Sequence, residues 1–178
     1  MGKLGSWLHY GTKSNWGLLM ESERLFYLFE QLEQSYIGEA IRNSIWMFPV
    51  IEATHLIGLA ILGGSILVGD LRLLGLLLSS KPIQYVIRQT TFMLKLGLII
   101  LVSTGIPLFL SEAIKCYYSR AFWIKMSALM LGLIFLFFIR NPICLSAEEE
   151  SRKFKIIGSI SISLWAIVAG SGRWIGFS

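Results

Sequence analysis

The sequence predicts an all-α integral membrane protein, a four-helix bundle with an amphipathic helix at its N-terminal end. Of the 178 residues, 54% are hydrophobic and only 15% are charged, whereas a soluble domain carries about 25% charged residues. Four long runs contain no charged residue, and they cover residues 53–69, 96–111, 126–139 and 156–172. With its flanking residues, each run reaches the roughly 20 apolar residues that a bilayer-spanning helix needs.

The N-terminal segment, residues 1–44, has a mixed composition that separates it from a transmembrane domain at residues 45–178. Ser22 is a candidate N-cap for a helix in this segment. Apolar residues then recur at helical spacing: Leu25, Phe29, Leu32 and Tyr36. The pattern is typical of an amphipathic helix on a membrane surface, and packing against a partner subunit explains it equally well. The segment has no signal-peptide pattern.

The transmembrane domain is predicted to contain four spans, near residues 45–70, 91–112, 121–141 and 156–176. Helices satisfy their own backbone hydrogen bonds in lipid, and the runs are too long and too apolar for the strands of a membrane barrel. An even number of spans puts both chain ends on one side of the membrane, which we call the terminal side.

The distribution of basic residues bears on orientation and on partners. The 16 Lys and Arg residues divide into eight on each side. Leaving out the distant Lys3, Lys13 and Arg24 gives five on the terminal side against eight, which favours termini outside the cytoplasm. The net charge of +5 comes without a dense basic run, so nucleic acid is not an expected partner. Cys116 and Cys144 lie on opposite sides and are predicted to be free thiols.

Charged residues on the terminal side are predicted to form one buried cluster. Glu52 lies about two turns into the first span, Lys125 opens the third, and Arg173 lies near the end of the fourth. Because a buried carboxylate needs a cation, we expect Glu52 to pair with Arg173 or Lys125.

A second group of charges lies on the opposite side. Asp70 and Arg72 end the first span, and Asp70 is expected to pair with Lys95 or Arg140. Charges at the ends of spans also serve as interfacial anchors, and this reading remains open for all four residues.

His55 lies one turn deeper than Glu52, near the centre of the bilayer. Its imidazole is expected to face the bundle interior, where it could bond to a neighbouring helix. It could also be an axial ligand of haem b, a metal ligand together with Glu52, or a relay beside Glu52 in a proton or quinone site. His9 is the only other histidine, so a second haem ligand would have to come from His9, from a partner chain or from a methionine. The candidate methionines are Met47, Met93, Met126 and Met130, although methionine in apolar helices is more often a packing residue. No metal site beyond a haem iron is expected, because the other spans lack carboxylates at this depth.

Three stretches together resemble an uncharacterised family of bacterial four-helix membrane proteins. They are "IEATHLIGLAILGGSILVGDLRLLG" (51–75), "AFWIKM" (121–126) and "GRWIGF" (172–177). The resemblance covers most of residues 45–177 and implies the four-helix fold but no settled activity. Its matching positions are Glu52, His55, Asp70, Arg72, Lys125 and Arg173. Many members also carry a histidine near the end of the third helix, where this chain has Arg140. At the level of architecture alone, the chain is similar to b561-like and copper-resistance-type membrane proteins.

These observations favour a small subunit of a larger complex in the bacterial inner membrane, in contact with lipid and with other membrane subunits. A role in electron transfer, through haem b or a quinone, is one interpretation. The alternative is a cofactor-free structural or assembly subunit. A chain with so little soluble domain is not expected to be a complete enzyme, and a small transporter is disfavoured because no clearly broken helix is present.

Overall fold

A computed structural model of the protein describes residues 23–146 and 152–175, with side chains up to residue 172. All of its regular elements are helices, so the predicted all-α bundle is confirmed for the described residues. The helices are α1 (23–33), α2 (Tyr36–Asn43), α3 (Met47–Leu74), α4 (Ile83–Ser111), α5 (Ala113–Tyr118), α6 (Arg120–Leu145) and α7 (Arg152–Ile175).

Four of these helices, α3, α4, α6 and α7, are long and apolar enough to cross a membrane. The helices extend past the predicted spans, and α4 begins at Ile83 instead of near residue 91. A charged residue such as Arg88 ends the apolar run, but it is compatible with a helix and does not interrupt the backbone hydrogen bonds. Hydropathy therefore predicts the part of a helix that is suited to lipid, and not where the helix begins or ends. Helix α3 ends at Gly75, whose φ of 77° is the left-handed conformation that glycine adopts most readily.

The bundle core is apolar and runs between the four spans. One buried group, near the middle, consists of Leu62, Ile66, Leu94 and Leu136. Helices α3 and α4 pack closely at Gly97, where an added methyl group would lie 2.7 Å from the backbone nitrogen of Leu62. Glycine therefore allows these two helices to pack with their backbones in contact.

The described part of the N-terminal segment, residues 23–44, packs against the protein's own helices on the terminal side. A bend at Ser35 separates α1 from α2, and the Ser35 hydroxyl accepts a hydrogen bond from the Gly38 amide. The Glu33 carboxylate accepts a 2.6 Å hydrogen bond from the amide of Ile114, and Arg42 donates to the carbonyl of Ser111 at 3.1 Å. These bonds attach α1 and α2 to the end of α4 and to α5.

The predicted helical spacing of this segment is interrupted at the bend. Phe29 is buried, but Leu25, Leu32 and Tyr36 are exposed. The bend places Tyr36 on a different helix from the other three residues, so a continuous helical spacing does not apply. Ser22, the predicted N-cap, lies outside the described residues.

Helix α6 contains one wide turn, Phe135–Arg140, with π-helical hydrogen bonding. Pro142 follows it within the same span. A proline lacks the N–H group of a regular helix and its ring clashes with the carbonyl four residues earlier, and a wider turn relieves both constraints. π turns in long helices frequently occur at functional sites, and this one ends at Arg140.

Candidate functional site

The Asp70 cluster, which consists of Asp70, Arg140, Asn141 and Ser161, is enclosed between α3, α6 and α7. The Asp70 and Arg140 side chains are 0% and 1% exposed, and Arg140 Nε lies 2.7 Å from Asp70 Oδ1. Arg140 also donates from Nη1 to the Asn141 side-chain oxygen at 3.1 Å and from Nη2 to the Ile66 carbonyl at 3.4 Å. The ion pair is therefore supported by further acceptors, which a buried charge requires.

Glycine makes room for this arrangement, because Arg140 Nη2 occupies the space that a side chain at position 69 would need. The Ser161 hydroxyl lies beside the Asp70 carboxylate. The Nε–H group of Arg140 and the Ser161 hydroxyl are both close to the carboxylate without the alignment of a regular hydrogen bond. The Asp70–Arg140 contact is thus an ion pair by the distance between its atoms, without the geometry of a regular hydrogen bond.

Arg72 is buried and bonds to the loop between α3 and α4. Its Nε donates to the Lys81 carbonyl at 2.8 Å, and its Nη2 donates to the Ser79 carbonyl at 3.4 Å. The side chain therefore holds this loop against the end of α3, and its place in a buried charge pair stays a prediction.

The His55 cluster, which consists of His55, Thr104 and Lys125, lies nearer the terminal side. His55 Nδ1 is 2.9 Å from the Thr104 hydroxyl oxygen. That hydroxyl donates its single proton to the Ile100 carbonyl at 2.6 Å, so it accepts from the imidazole. Nδ1 therefore carries the proton, and Nε2 of the neutral ring has a lone pair available as an acceptor.

Two glycines bring the members of this cluster close to their neighbours. A methyl group at Gly105 would lie 3.3 Å from His55 Cε1, and one at Gly172 would lie 3.8 Å from Lys125 Nζ. Lys125 is near enough to His55 for the two side chains to interact electrostatically. Both are half-buried, so an imidazole and an ammonium group share one region of the bundle that remains accessible from outside.

Two predicted members of buried charge pairs, Glu52 and Lys95, are exposed, and Arg173, the other predicted partner of Glu52, has its side chain outside the described residues. Glu52 is exposed, and no ion pair joins it to Lys125. Residues three apart on a helix differ by about 60° in direction, so Glu52 lies beyond the edge of the face that turns His55 inward. Lys95 is also exposed, and Arg140 takes the place beside Asp70. The side chain of Arg173 and the whole of His9 lie outside the described residues.

The described residues do not complete a six-coordinate haem site. His55 is the only histidine among them, and the four candidate methionines are all exposed. Within the same part of the chain, no group of three His, Cys, Asp or Glu residues could hold a metal ion.

Several polar residues of the two clusters had no distinctive signal in the sequence. Thr104 and Ser161 are small hydroxyl residues in apolar runs, where such residues commonly bond to their own helix. The Trp165 Nε1–H group is buried without an aligned acceptor among the described residues, and its ring packs on Gly132. Ser161 and Trp165 are four residues apart on α7, which places both on the same helical face. This spacing was the one feature of the sequence that could have indicated a shared polar site for the two residues.

Searches of curated proteins and of solved structures each returned no match to this chain. A family profile does match it, and the match extends from residue 28 to residue 178. The match thus includes both polar clusters and all four spans, and it carries no relationship to b561-type proteins. The chain therefore belongs to the family described as "Family of unknown function (DUF6644)".

Proposed function

We propose that this protein is a small subunit of a larger complex in the bacterial inner membrane and that it binds a quinone at the His55 cluster. The observation that carries the proposal is that a half-buried imidazole and a half-buried ammonium group lie in the same part of the bundle, inside the spans. His55 presents an acceptor nitrogen, and Lys125 presents a donor with a positive charge.

The two groups match the two chemical states of a quinone. A quinol hydroxyl donates to the lone pair of His55 Nε2, and a quinone oxygen accepts from Lys125. When a quinol is oxidised, two electrons leave and two protons must be accepted. His55 accepts one of these protons, the second leaves to water, and both electrons pass to a redox centre of a partner subunit. Lys125 stabilises negative charge on the quinone oxygen while the proton is transferred.

Haem b is a weaker candidate for the same site. An iron would bind His55 Nε2, but the described residues supply no second strong ligand nearby. An absorbance spectrum of the purified protein separates the two versions, since a haem gives an intense Soret band and a quinone does not.

Quinone binding is tested by titrating the purified protein in maltoside detergent with decylubiquinone and with a short-chain menaquinone. Tryptophan fluorescence quenching measures the dissociation constant. We expect His55→Leu and Lys125→Met each to weaken binding by about tenfold or more, which corresponds to the loss of one charge-assisted or buried hydrogen bond. Lys95→Met is the matched control, because it removes an exposed cation from a neighbouring span. Equal affinity in all four proteins, or no saturable binding, would reject the quinone site.

The second candidate function is that of a cofactor-free structural or assembly subunit. The observation that favours it is the enclosure of the Asp70 cluster, which no ligand could reach without separating α3, α6 and α7. Blue native electrophoresis of membranes that contain tagged wild-type protein or His55→Leu distinguishes the two. If the protein has an assembly role, the titration shows no quinone binding. Electrophoresis then shows the same large complex with the wild-type protein and with His55→Leu.

A further inference from the structure

A shallow pocket of about 250 Å³ lies on the terminal side, outside the spans, between α1 and α5. Glu23 and Phe26 of α1 line one side of it, and Tyr117 and Tyr118 of α5 line the other. Neither polar cluster reaches this pocket, so it is separate from the proposed quinone site and its function does not depend on that proposal.

Three aromatic rings meet in this pocket at steep angles. The rings of Tyr117 and Tyr118 are 5.1 Å apart at 86°, and those of Phe26 and Tyr117 are 5.6 Å apart at 70°. Phe26 and Tyr118 are 6.1 Å apart at 52°. Rings set at such angles form a corner, in which ring faces and ring edges both border the enclosed space.

The ring faces carry negative potential from their π electrons, so they attract cations, and organic ammonium groups bind to several rings at once. Glu23 adds a full negative charge to the same pocket, and its carboxylate is exposed to solvent. An ordinary aromatic belt at a membrane surface needs rings alone. The combination of three rings with a carboxylate is the chemistry that recognises a bulky organic cation.

The two walls of the pocket are held together by contacts outside it. Glu33 of α1 accepts the hydrogen bond from the Ile114 amide of α5, and the buried ring of Phe29 lies 5.3 Å from that of Tyr117. The Trp123 indole donates to the Tyr117 carbonyl at 3.1 Å. Helices α1 and α5, which form the two walls, are therefore held together before a ligand arrives, which lowers the entropy lost on binding.

We propose that this pocket, lined by Glu23, Phe26, Tyr117 and Tyr118, binds an organic ammonium group. The group belongs either to the headgroup of a phospholipid or to a soluble cation. Both sources present the same positively charged, partly apolar surface, and the pocket's position near the membrane interface makes it accessible to each.

Saturation-transfer difference NMR with tetramethylammonium chloride tests this proposal, because the method detects dissociation constants in the millimolar range. The full-length protein is measured in maltoside detergent at constant ionic strength with sodium chloride as the balancing salt. We expect saturable transfer to the methyl protons of tetramethylammonium in the wild type. Phe26→Leu and Glu23→Gln should each weaken binding by about fivefold or more, since each removes one of the attractive groups.

Two further variants keep the test independent of folding. Tyr118→Leu changes a ring that is 69% exposed, so the fold tolerates it, and binding should weaken by a similar factor. Phe92→Leu removes an outward-facing ring from α4 and should leave binding unchanged. The proposal is overturned if the wild type shows no saturable transfer, or if the three pocket variants bind as tightly as Phe92→Leu.

The source of the cation is distinguished in nanodiscs. Discs of phosphatidylglycerol alone are compared with discs that contain one half phosphatidylcholine. If the lipid headgroup occupies the pocket, phosphatidylcholine weakens tetramethylammonium binding several-fold in the wild type and has no such effect on Phe26→Leu. If a soluble cation is the ligand, the two kinds of disc differ only through their surface charge, by the same factor in the wild type and in Phe26→Leu, and binding remains sensitive to Phe26→Leu in both. A lack of sensitivity to Phe26→Leu in both discs contradicts the site itself.

Discussion

The two polar clusters differ in how completely the protein closes them. In the Asp70 cluster, opposite charges lie 2.7 Å apart and both side chains are fully buried. In the His55 cluster, one hydrogen bond joins the imidazole to Thr104, and a nearby ammonium group remains half-buried. Both clusters place ionisable residues inside the spans, where such groups are costly. They differ in whether their polar groups are left able to bind a ligand.

The difference shows what an ionisable residue in a span requires before it can act on a ligand. Asp70 and Arg140 use their charges on each other, and the remaining donors of Arg140 reach protein acceptors. His55 satisfies one ring nitrogen within the protein and retains the other as an acceptor. The Asp70 cluster is thus suited to holding helices together, and the His55 cluster is suited to binding.

The strongest test of this contrast is to remove one partner of the buried ion pair. Arg140→Leu leaves the Asp70 carboxylate without a cation, and we expect the free energy of unfolding to fall by about 3–5 kcal/mol. Thermal unfolding in detergent, followed by circular dichroism, measures the loss. The double variant Asp70→Leu with Arg140→Leu removes both charges and should recover most of that loss. If the single variant is as stable as the wild type, the Asp70 cluster does not hold the bundle together.

A smaller effect is expected from filling the space beside Arg140. Gly69→Ala places a methyl group where Arg140 Nη2 now lies, so the guanidinium must move away from its acceptors. We expect a loss of about 1–3 kcal/mol, typical of overpacking in a core, in the same thermal assay.

The same helix supplies the matched control. Nothing lies within 4 Å of a methyl group added at Gly63 or Gly64. Alanine is also a better helix former than glycine, so Gly63→Ala and Gly64→Ala should not lower stability. Equal losses at positions 63 and 69 would contradict the placement of Arg140 against α3.

The sequence predicted four long apolar helices because hydropathy alone indicates them, and the described residues contain four such helices. It could not choose between Lys95 and Arg140 as the partner of Asp70, since that choice depends on the direction in which each side chain leaves its helix. Arg140 is the last residue of the π turn, and the extra residue in such a turn changes the direction in which the neighbouring side chains leave the helix. No periodicity in the sequence encodes that turn.

Direction also determines the exposure of Glu52. Sequence spacing groups it with His55, but the boundary between interior and exterior passes between two residues that are only 60° apart. The position of that boundary depends on how α3 packs against α4, where Gly97 contacts the backbone at Leu62. Helix packing of this kind is a property of the assembled bundle, whereas the presence of a polar group at each depth is readable from the chain alone.

A modest effect is expected at the His55 cluster itself. Thr104→Val removes the oxygen that accepts from His55 Nδ1 while retaining the shape of the side chain. Hydrogen bonds between membrane helices contribute about 0.6 kcal/mol and up to about 1.7, so the loss of stability should be in this range. Quinone affinity should also fall, because the proton is no longer fixed on Nδ1.

Ser103→Ala is the control for this change. Its hydroxyl is exposed and bonds only to the Ile100 carbonyl of its own helix, so neither stability nor quinone affinity should respond. A response to Ser103→Ala that equals the response to Thr104→Val would show that the hydrogen bond to His55 has no special role.

The smallest effect on stability, and a clear effect on reactivity, is expected at Cys116, on α5 outside the spans. Burial raises the pKa of this thiol to about 11 from an ordinary value of 9.0, and the neighbouring Glu112 carboxylate adds to the shift. The thiolate is the reactive form, so its fraction at pH 8 is lower by about a hundredfold than that of an unshifted thiol. The rate of N-ethylmaleimide addition should then rise about tenfold per pH unit up to pH 11.

The measurement uses Cys144→Ala, which leaves Cys116 as the only cysteine, and compares native protein with protein unfolded in SDS and urea. Because the unfolded thiol loses its proton at a lower pH than the folded thiol, the unfolded state binds fewer protons between pH 9 and pH 11. The stability of the fold therefore decreases as the pH rises through that range, and it is unaffected by this group below pH 8. If modification at pH 8 is equally fast in native and unfolded protein, Cys116 is not buried in the native protein. In that case the attachment of the N-terminal segment, and with it the pre-formed aromatic pocket, would also be in doubt.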